Sequence, residues 1–165
     1  MQILSPLDGR YSKKVGDLGG YFSEDALMKA RVEVEILYFI ALAEERKVKE
    51  LKRLPNAEKK KLLRILERFS PKDLTLIKQF ERKTNHDVKA VEYYLRKKMQ
   101  GIPSLRKSLS FIHFGLTSED VNNLAYGLLI HRALKDILRP ELKALMIQIG
   151  GMGRRWKKTE MLSLT

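Results

Sequence analysis

Residues 111–123 of this sequence read Phe-Ile-His-Phe-Gly-Leu-Thr-Ser-Glu-Asp-Val-Asn-Asn, a pattern typical of a loop that ends in a helix start. Thr117 is a good N-cap, and Asp120 three residues later completes a capping box. Gly115 allows a tight turn just before the cap. The hydroxyls of Thr117 and Ser118 then meet free backbone N–H groups, which favours an anion at this point. An ordinary capped helix without a ligand explains the same local features.

Helix start signals recur on the N-terminal side of this stretch. Ser23 precedes two acids and a helical pattern of apolar residues that runs to about Glu45. Within that pattern Glu33 and Glu35 belong to no motif, and we interpret them as charges on a solvated face. Ser-Pro-Lys-Asp at residues 70–73 combines a cap, a proline at the first helical position and an acid at the third. No segment alternates convincingly with strand period, so the predicted fold class is all-α.

The C-terminal part of the sequence predicts further helices. A break at residues 101–103 precedes a predicted helix from about Ser104 to Ile112, and the chain looks helical from Ser118 almost to its end. Pro140 should kink this last helix or divide it in two. Apolar residues with heptad spacing form a stripe along it, comprising Leu138, Leu142, Leu145, Ile149, Met152 and Trp156.

Composition excludes several classes of function. The chain has no cysteine, so it has no disulfide, no thiol nucleophile and no cysteine-based metal site, and its three histidines lack metal-ligand spacing. No apolar run is long enough to span a membrane and no signal pattern opens the chain, so a cytoplasmic location is the default expectation. The formal net charge of +13 attracts polyanions such as nucleotides. A solvated basic surface is the equally weighted alternative, since no nucleic-acid-binding motif is present.

Three strings in this sequence together resemble signature segments of the adenylosuccinate lyases, in the fumarase/aspartase superfamily. They are Ser-Pro-Leu-Asp-Gly-Arg-Tyr at residues 5–11, Thr-Asn-His-Asp-Val-Lys-Ala-Val-Glu-Tyr-Tyr-Leu at 84–95, and Ile-His-Phe-Gly-Leu-Thr-Ser-Glu-Asp-Val-Asn-Asn at 112–123. The resemblance implies a helical N-terminal domain over residues 1–115. It implies that residues 116–165 start a central helical bundle.

The first two strings carry expected site residues. Arg10 and Tyr11 match residues that bind the nucleotide phosphate, and an arginine fork suits that group. His86 matches a histidine that contacts substrate and takes part in acid–base chemistry. Asp87 would orient or pair with nearby groups, and Asn85 is a weaker substrate-binding candidate. From the residues alone, a histidine at a helix junction is more often structural, and the surrounding string favours the site.

The third string supplies the remaining candidates. His113 matches a second site histidine, and Thr117 and Ser118 match hydroxyls that grip a substrate carboxylate. The resemblance thus implies His86, His113 and Ser118 as catalytic residues. His131 matches nothing in the family pattern, and we interpret it as structural.

The family's reaction sets the expected function. These enzymes eliminate fumarate from adenylosuccinate and from a succinylated imidazole carboxamide nucleotide. They need no metal or other cofactor, and they work as homotetramers whose sites use three subunits. This sequence stops about where the Thr-His-Gly motif of the general acid would begin, and it lacks the serine loop. The resemblance therefore implies a fragment that is inactive alone.

Two alternatives remain open. One is another lyase of the superfamily, acting on argininosuccinate or aspartate. The other is a free-standing basic helical module that binds nucleotides or nucleic acid without catalysis, and steep salt dependence with polynucleotides would support it. For a lyase, no specific nucleic acid is expected as a partner.

Overall fold

The computed structural model describes residues 5–162, and every regular element in that range is helical. The α-helices are α1 (Gly19–Phe22), α2 (Glu24–Glu44), α3 (Asn56–Glu67), α4 (Pro71–Thr84), α5 (Asp87–Gln100), α6 (Ser118–Ala133) and α7 (Arg139–Trp156). Short 3-10 helices span Gly16–Leu18 and Pro103–Phe111, and a π-helix spans Leu134–Leu138. The all-α prediction is confirmed.

The chain forms two compact units. One spans Gly19–Leu129, and the other combines Met1–Leu18 with Ile130–Thr165, of which residues 1–4 and 163–165 are not described. The predicted domains, 1–115 and 116–165, stay a prediction. No helix within residues 5–162 combines the length and apolarity needed to cross a membrane.

Helix α2 is the central element of the unit Gly19–Leu129. One side of it packs into a core shared with α3, α4, α5 and the 3-10 helix Pro103–Phe111. Residues of this core include Met28, Val32, Ile36, Phe39, Leu62, Ile77, Tyr94 and Leu105. Another side packs against the start of α5 and against α6 through a second cluster, Ala26, Ala30, Val34, Val88, Val121, Ala125 and Leu129. A helix that is apolar on most sides is a buried helix. Polar residues on α2 are therefore drawn into the interior with it.

The interpretation of Glu35 as a solvated charge is wrong. Glu35 is only 1% exposed, and Arg31 one turn earlier is 6% exposed. Glu33 is half-buried. Apolar periodicity failed here because α2 has neighbours on more than one side, so a charged residue within its pattern does not mark a solvent face.

Caps predicted from the sequence are confirmed. The Ser23 hydroxyl accepts a hydrogen bond from the Ala26 N–H at 3.2 Å. The Ser70 N–H and hydroxyl both donate to Asp73 Oδ2, at 2.9 and 2.8 Å, with Pro71 at the first position of α4. These contacts satisfy backbone donors that the first helical turn leaves free.

Two helical segments differ in detail from the prediction. The helix expected at about Ser104–Ile112 is a 3-10 helix over Pro103–Phe111. The long C-terminal helix is divided by the π-helix just before Pro140, where the Arg139 N–H reaches back five residues to the Leu134 carbonyl. Proline has no N–H, and in an α-helix its ring meets the carbonyl four residues earlier, so a wider turn accommodates it.

Candidate functional site

The candidate site lies where α5 and α6 begin. His86 is the N-cap of α5 in an extended conformation, and its Nδ1 accepts the Lys89 N–H at 3.2 Å. Because that bond needs the Nδ1 lone pair, the proton of a neutral ring sits on Nε2. Nε2 lies 3.5 Å from the Ser118 Oγ, at the outer limit of a hydrogen bond. The structure thus brings His86 and Ser118 together, with a nitrogen donor aimed at a hydroxyl.

A two-residue junction sets the position of His86. Asn85 ends α4 in the left-handed conformation, with φ 50° and ψ 35°, and its N–H donates to the Glu81 carbonyl at 2.7 Å. Asparagine adopts this conformation more readily than most residues because its short polar side chain bonds locally. The chain then turns immediately into α5. The predicted helix junction at His86 is confirmed.

Asp87 is paired with a buried cation. Its Oδ2 lies 2.7 Å from Nη2 of Arg31, and the Nε of Arg31 donates to Oδ1 of Asn122 at 2.9 Å. Burial acts to raise the pKa of Asp87, but the hydrogen bond from the Val88 N–H and the charge of Arg31 outweigh it and hold that pKa below its usual value. Asp87 is therefore ionised at neutral pH, and Arg31 joins α2 to the starts of both α5 and α6.

Thr117 forms the predicted capping box. Its N–H and its hydroxyl both donate to Asp120 Oδ2, at 2.7 and 2.8 Å, and its Oγ1 accepts from the Asp120 N–H at 3.4 Å. The Thr117 N–H, followed by its hydroxyl, lowers the pKa of Asp120. Contact between a substrate carboxylate and Thr117 or Ser118 stays a prediction. In this structure the Thr117 hydroxyl serves the cap, and Ser118 is the hydroxyl beside His86.

His113 has a partner that sequence reasoning missed. Its Nδ1 lies 2.5 Å from Oε1 of Glu35, whose side chain is fully buried. Burial raises the pKa of Glu35, and the hydrogen bond and charge of His113 act in the opposite direction. The available signal was that Glu35 follows Arg31 by one helical turn inside a strongly apolar segment, where unpaired charges are rare.

The turn that carries His113 is held by α2 as well. His113 has φ 62° and Gly115 has φ 72°, both in the left-handed region. For a residue other than glycine this costs of order 1–3 kcal/mol, so surrounding contacts must hold it. Tyr38 provides one by donating its hydroxyl to the Phe114 carbonyl at 2.7 Å. Together Arg31, Glu35 and Tyr38 form what we call the polar stripe of α2, since they recur at helical spacing and each contacts a site segment.

Three residues singled out in the sequence remain: Arg10, Tyr11 and His131. Arg10 and Tyr11 belong to the other unit and are exposed, with the Arg10 guanidinium carbon 5.5 Å from the Tyr11 ring centroid. Their role in phosphate binding stays a prediction. His131 is exposed and lies in the last turn of α6. Within residues 5–162 no group of three or more histidine, aspartate or glutamate side chains could hold a metal ion.

Comparison with known proteins gives the family. A family model described as Lyase matches residues 9–165. Adenylosuccinate lyases align over the whole chain, with 42% identity in Legionella pneumophila (strain Corby), 43% in Dictyostelium discoideum and 41% in Escherichia coli (strain K12). The chain spans about 36% of the length of each of these relatives. Because the family model covers almost the entire sequence, the chain belongs to this lyase family.

Proposed function

We propose that this chain supplies the N-terminal part of an adenylosuccinate lyase, which eliminates fumarate from adenylosuccinate and from the related succinylated imidazole carboxamide nucleotide. The observation that carries the proposal is the pairing of His86 Nε2 with Ser118 Oγ at 3.5 Å, where two helices start. These residues come from two separated strings that resemble the same enzyme. The relatives that align over the full chain carry that name.

The chemistry of such a substrate suits this arrangement. Adenylosuccinate has a phosphate and two carboxylates, and helix N-termini favour anions through free N–H groups and the helix dipole. The Ser118 hydroxyl and the Nε2–H of neutral His86 are donors for a carboxylate oxygen. Removal of the Cβ proton shifts negative charge onto the neighbouring carboxylate, and donors fixed there stabilise that charge as it develops. The net charge of +13 favours the approach of the anion.

The proposed roles are divided among residues as follows. His86 and Ser118 bind a carboxylate and the charge that develops on it, and Asp87 orients the start of α5 through Arg31. Arg10 and Tyr11 bind the phosphate, and Asn85 and Thr117 add polar contacts. The proton-abstracting serine and the acid histidine come from chain segments outside this sequence, and the working enzyme is a homotetramer with composite sites.

A chimera tests this proposal. The matching part of the E. coli relative is replaced by residues 1–165 of this chain, and fumarate release is followed with adenylosuccinate, argininosuccinate and aspartate as substrates. We expect turnover of adenylosuccinate only, and no turnover by the 165-residue chain alone. Turnover of a different substrate by the chimera would contradict the proposal. So would turnover by the chain alone, if it disappeared in a His113→Ala control that excludes contaminating host enzyme.

A further inference from the structure

Glu35 is a buried carboxylate that no predicted motif includes. Its side chain is fully buried, its Oε1 lies 2.5 Å from His113 Nδ1, and its Oε2 has no hydrogen-bond partner among the described residues. A buried carboxylate is costly unless it is paired, so the contact with His113 is its main compensation. The imidazole, by contrast, is 19% exposed and retains access to solvent.

We propose that Glu35 is the positioning residue of His113, fixing a proton on Nδ1 and leaving Nε2 as the ring nitrogen that meets the substrate. The role of His113 in substrate contact rests on the proposed lyase function, with His113 as the second site histidine that the family resemblance implies. The assignment of the proton rests on this structure alone. Glu35 itself does not touch substrate, because it acts from the interior through the imidazole.

Glu35 Oε1 and His113 Nδ1 lie within hydrogen-bonding distance, and two such atoms form a hydrogen bond only when one of them carries a proton. That proton belongs to either the carboxyl group or Nδ1. An imidazole ordinarily binds a proton about two pH units more tightly than a glutamate carboxylate, which favours Nδ1. Burial raises the pKa of Glu35 and so opposes this preference, whereas the hydrogen bond and charge of His113 lower that pKa and support it. Two other charged groups interact with this pair. The charge of Glu92 on α5 raises the pKa of Glu35, and the charge of His113 lowers the pKa of Asp120 on α6.

The backbone around His113 is a second observation that points to a functional role of the Glu35–His113 contact. His113 is held in a left-handed conformation by a neighbourhood that includes Glu35 and the Tyr38–Phe114 hydrogen bond. Residues kept in such conformations cluster at functional sites, where the surrounding structure over-determines them. Fixing the ring by Nδ1 selects which nitrogen is available.

The two site histidines consequently differ in their neutral forms. His86 uses Nδ1 as an acceptor from the Lys89 N–H, so it presents an Nε2–H donor. His113 uses Nδ1 as a donor to Glu35, so it presents Nε2 as an acceptor. The neutral ring of His86 is thus a donor at Nε2, and the neutral ring of His113 is an acceptor at Nε2. In each ring the hydrogen bond at Nδ1 determines the role of Nε2.

Long-range proton–nitrogen NMR of the ¹⁵N-labelled 165-residue chain tests the assignment directly. Spectra are recorded well above the usual imidazole pKa of about 6.5, and exposed His131 serves as the internal control. We expect a protonated Nδ1 in His113, an unprotonated Nδ1 in His86 and a tautomer mixture in His131. An unprotonated Nδ1 in His113 would mean that Glu35 holds the proton, and the proposal would fail.

Two variants separate positioning from support of the turn. Glu35→Leu removes the acceptor at similar volume, and we expect His113 to become a tautomer mixture like His131. Tyr38→Phe removes the other α2 contact to the same turn, and Nδ1 of His113 should stay protonated. An unchanged Nδ1 signal in folded Glu35→Leu would overturn the proposal. If Glu35→Leu does not fold, the wild-type spectrum still shows whether Nδ1 of His113 carries the proton, and that result supports or overturns the proposal.

The chimeric lyase then tests the functional half. Glu35→Leu should lower kcat about 100-fold, the typical effect of a misplaced catalytic group. Because Glu35 acts through His113, the double variant with His113→Ala should be no worse than His113→Ala alone. Additive losses or an unchanged kcat would refute positioning. A chimera inactive even with wild-type residues would refute the proposed function and leave the NMR result standing.

Discussion

Nη2 of Arg31 lies 2.7 Å from Oδ2 of Asp87, and the same guanidinium donates through Nε to Asn122. Asp87 is the residue after His86, and Asn122 lies one turn beyond Ser118. One buried side chain on α2 therefore contacts the first turn of α5 and the second turn of α6, and the starts of these two helices carry the candidate site. The geometry of His86 and Ser118 depends on a residue that contacts neither.

Arg31→Met should destabilise the chain by about 1–3 kcal/mol, because it leaves Asp87 and Asn122 without their partner. The Asp87 side chain is 43% exposed, so water can replace part of the lost interaction, and the cost stays below that of a fully buried broken pair. Urea unfolding measures the change. Lys29→Met, at an exposed position of α2, is the matched control and should change stability little. Equal effects of the two substitutions would show that the Arg31 contacts contribute nothing.

Substitutions in the chimeric lyase should separate the site histidine from a surface histidine. His86→Ala removes the Nε2–H donor and the cap of α5, and Ser118→Ala removes the hydroxyl 3.5 Å away. Loss of one donor to charge that develops in the transition state costs about 100-fold or more in turnover, and we expect an effect of that order for His86→Ala. Ser118→Ala should also lower turnover. His131→Ala should do little, and similar kcat values for the His86 and His131 variants would disprove the assignment.

The folded state should lose stability in acid partly through Glu92. Its carboxylate lies 2.7 Å from Lys89 Nζ and 2.9 Å from Arg96 Nη2, and its side chain is 5% exposed. Burial acts to raise the pKa of Glu92, but the hydrogen bonds from Lys89 and Arg96 outweigh it, so the net pKa is lowered. A lowered folded-state pKa gives stability that is present above the unfolded pKa of about 4.3 and is lost as pH falls through the folded pKa.

Glu92→Gln should therefore flatten the decrease in unfolding free energy between about pH 5 and pH 2. Urea unfolding at a series of pH values measures this slope. Glu50→Gln removes an exposed carboxylate and is the control. The idea is wrong if the Glu92 variant loses stability as steeply in acid as the wild-type chain does.

Much of the helical framework was predictable because its signals are local. The caps at Ser23, Ser70 and Thr117 depend on residues within one turn, so a short window of sequence contains the whole interaction. The position of His86 at a helix junction was also local, since Asn85 and Asp87 are poor residues for a helix interior. The division near Pro140 followed from the missing N–H, although the π-helix that accommodates it was not foreseen.

The polar stripe of α2 was not predictable in the same way. Glu35 is separated from His113 by 78 residues, and Arg31 from Asn122 by 91. Without a known fold, no window of sequence identifies these partners. The apolar pattern of α2 led to the wrong prediction that Glu35 lies on a solvated face. A helix buried on several sides has no single polar face, so a charged residue in its pattern does not indicate exposure to solvent.

The final prediction concerns α7. The apolar stripe that runs from Leu138, the last residue of the π-helix, along α7 to Trp156 is exposed, from 38% at Leu138 to 59% at Ile149. Contiguous apolar surface of this kind is an association surface. We expect the 165-residue chain to self-associate, with sedimentation velocity showing larger species as concentration rises. Leu145→Lys should reduce this association, whereas Ile147→Lys, the same chemical change on the opposite side of α7, should reduce it less. A monomer at every concentration would contradict the prediction, and equal effects of the two variants would argue against the stripe as the surface involved.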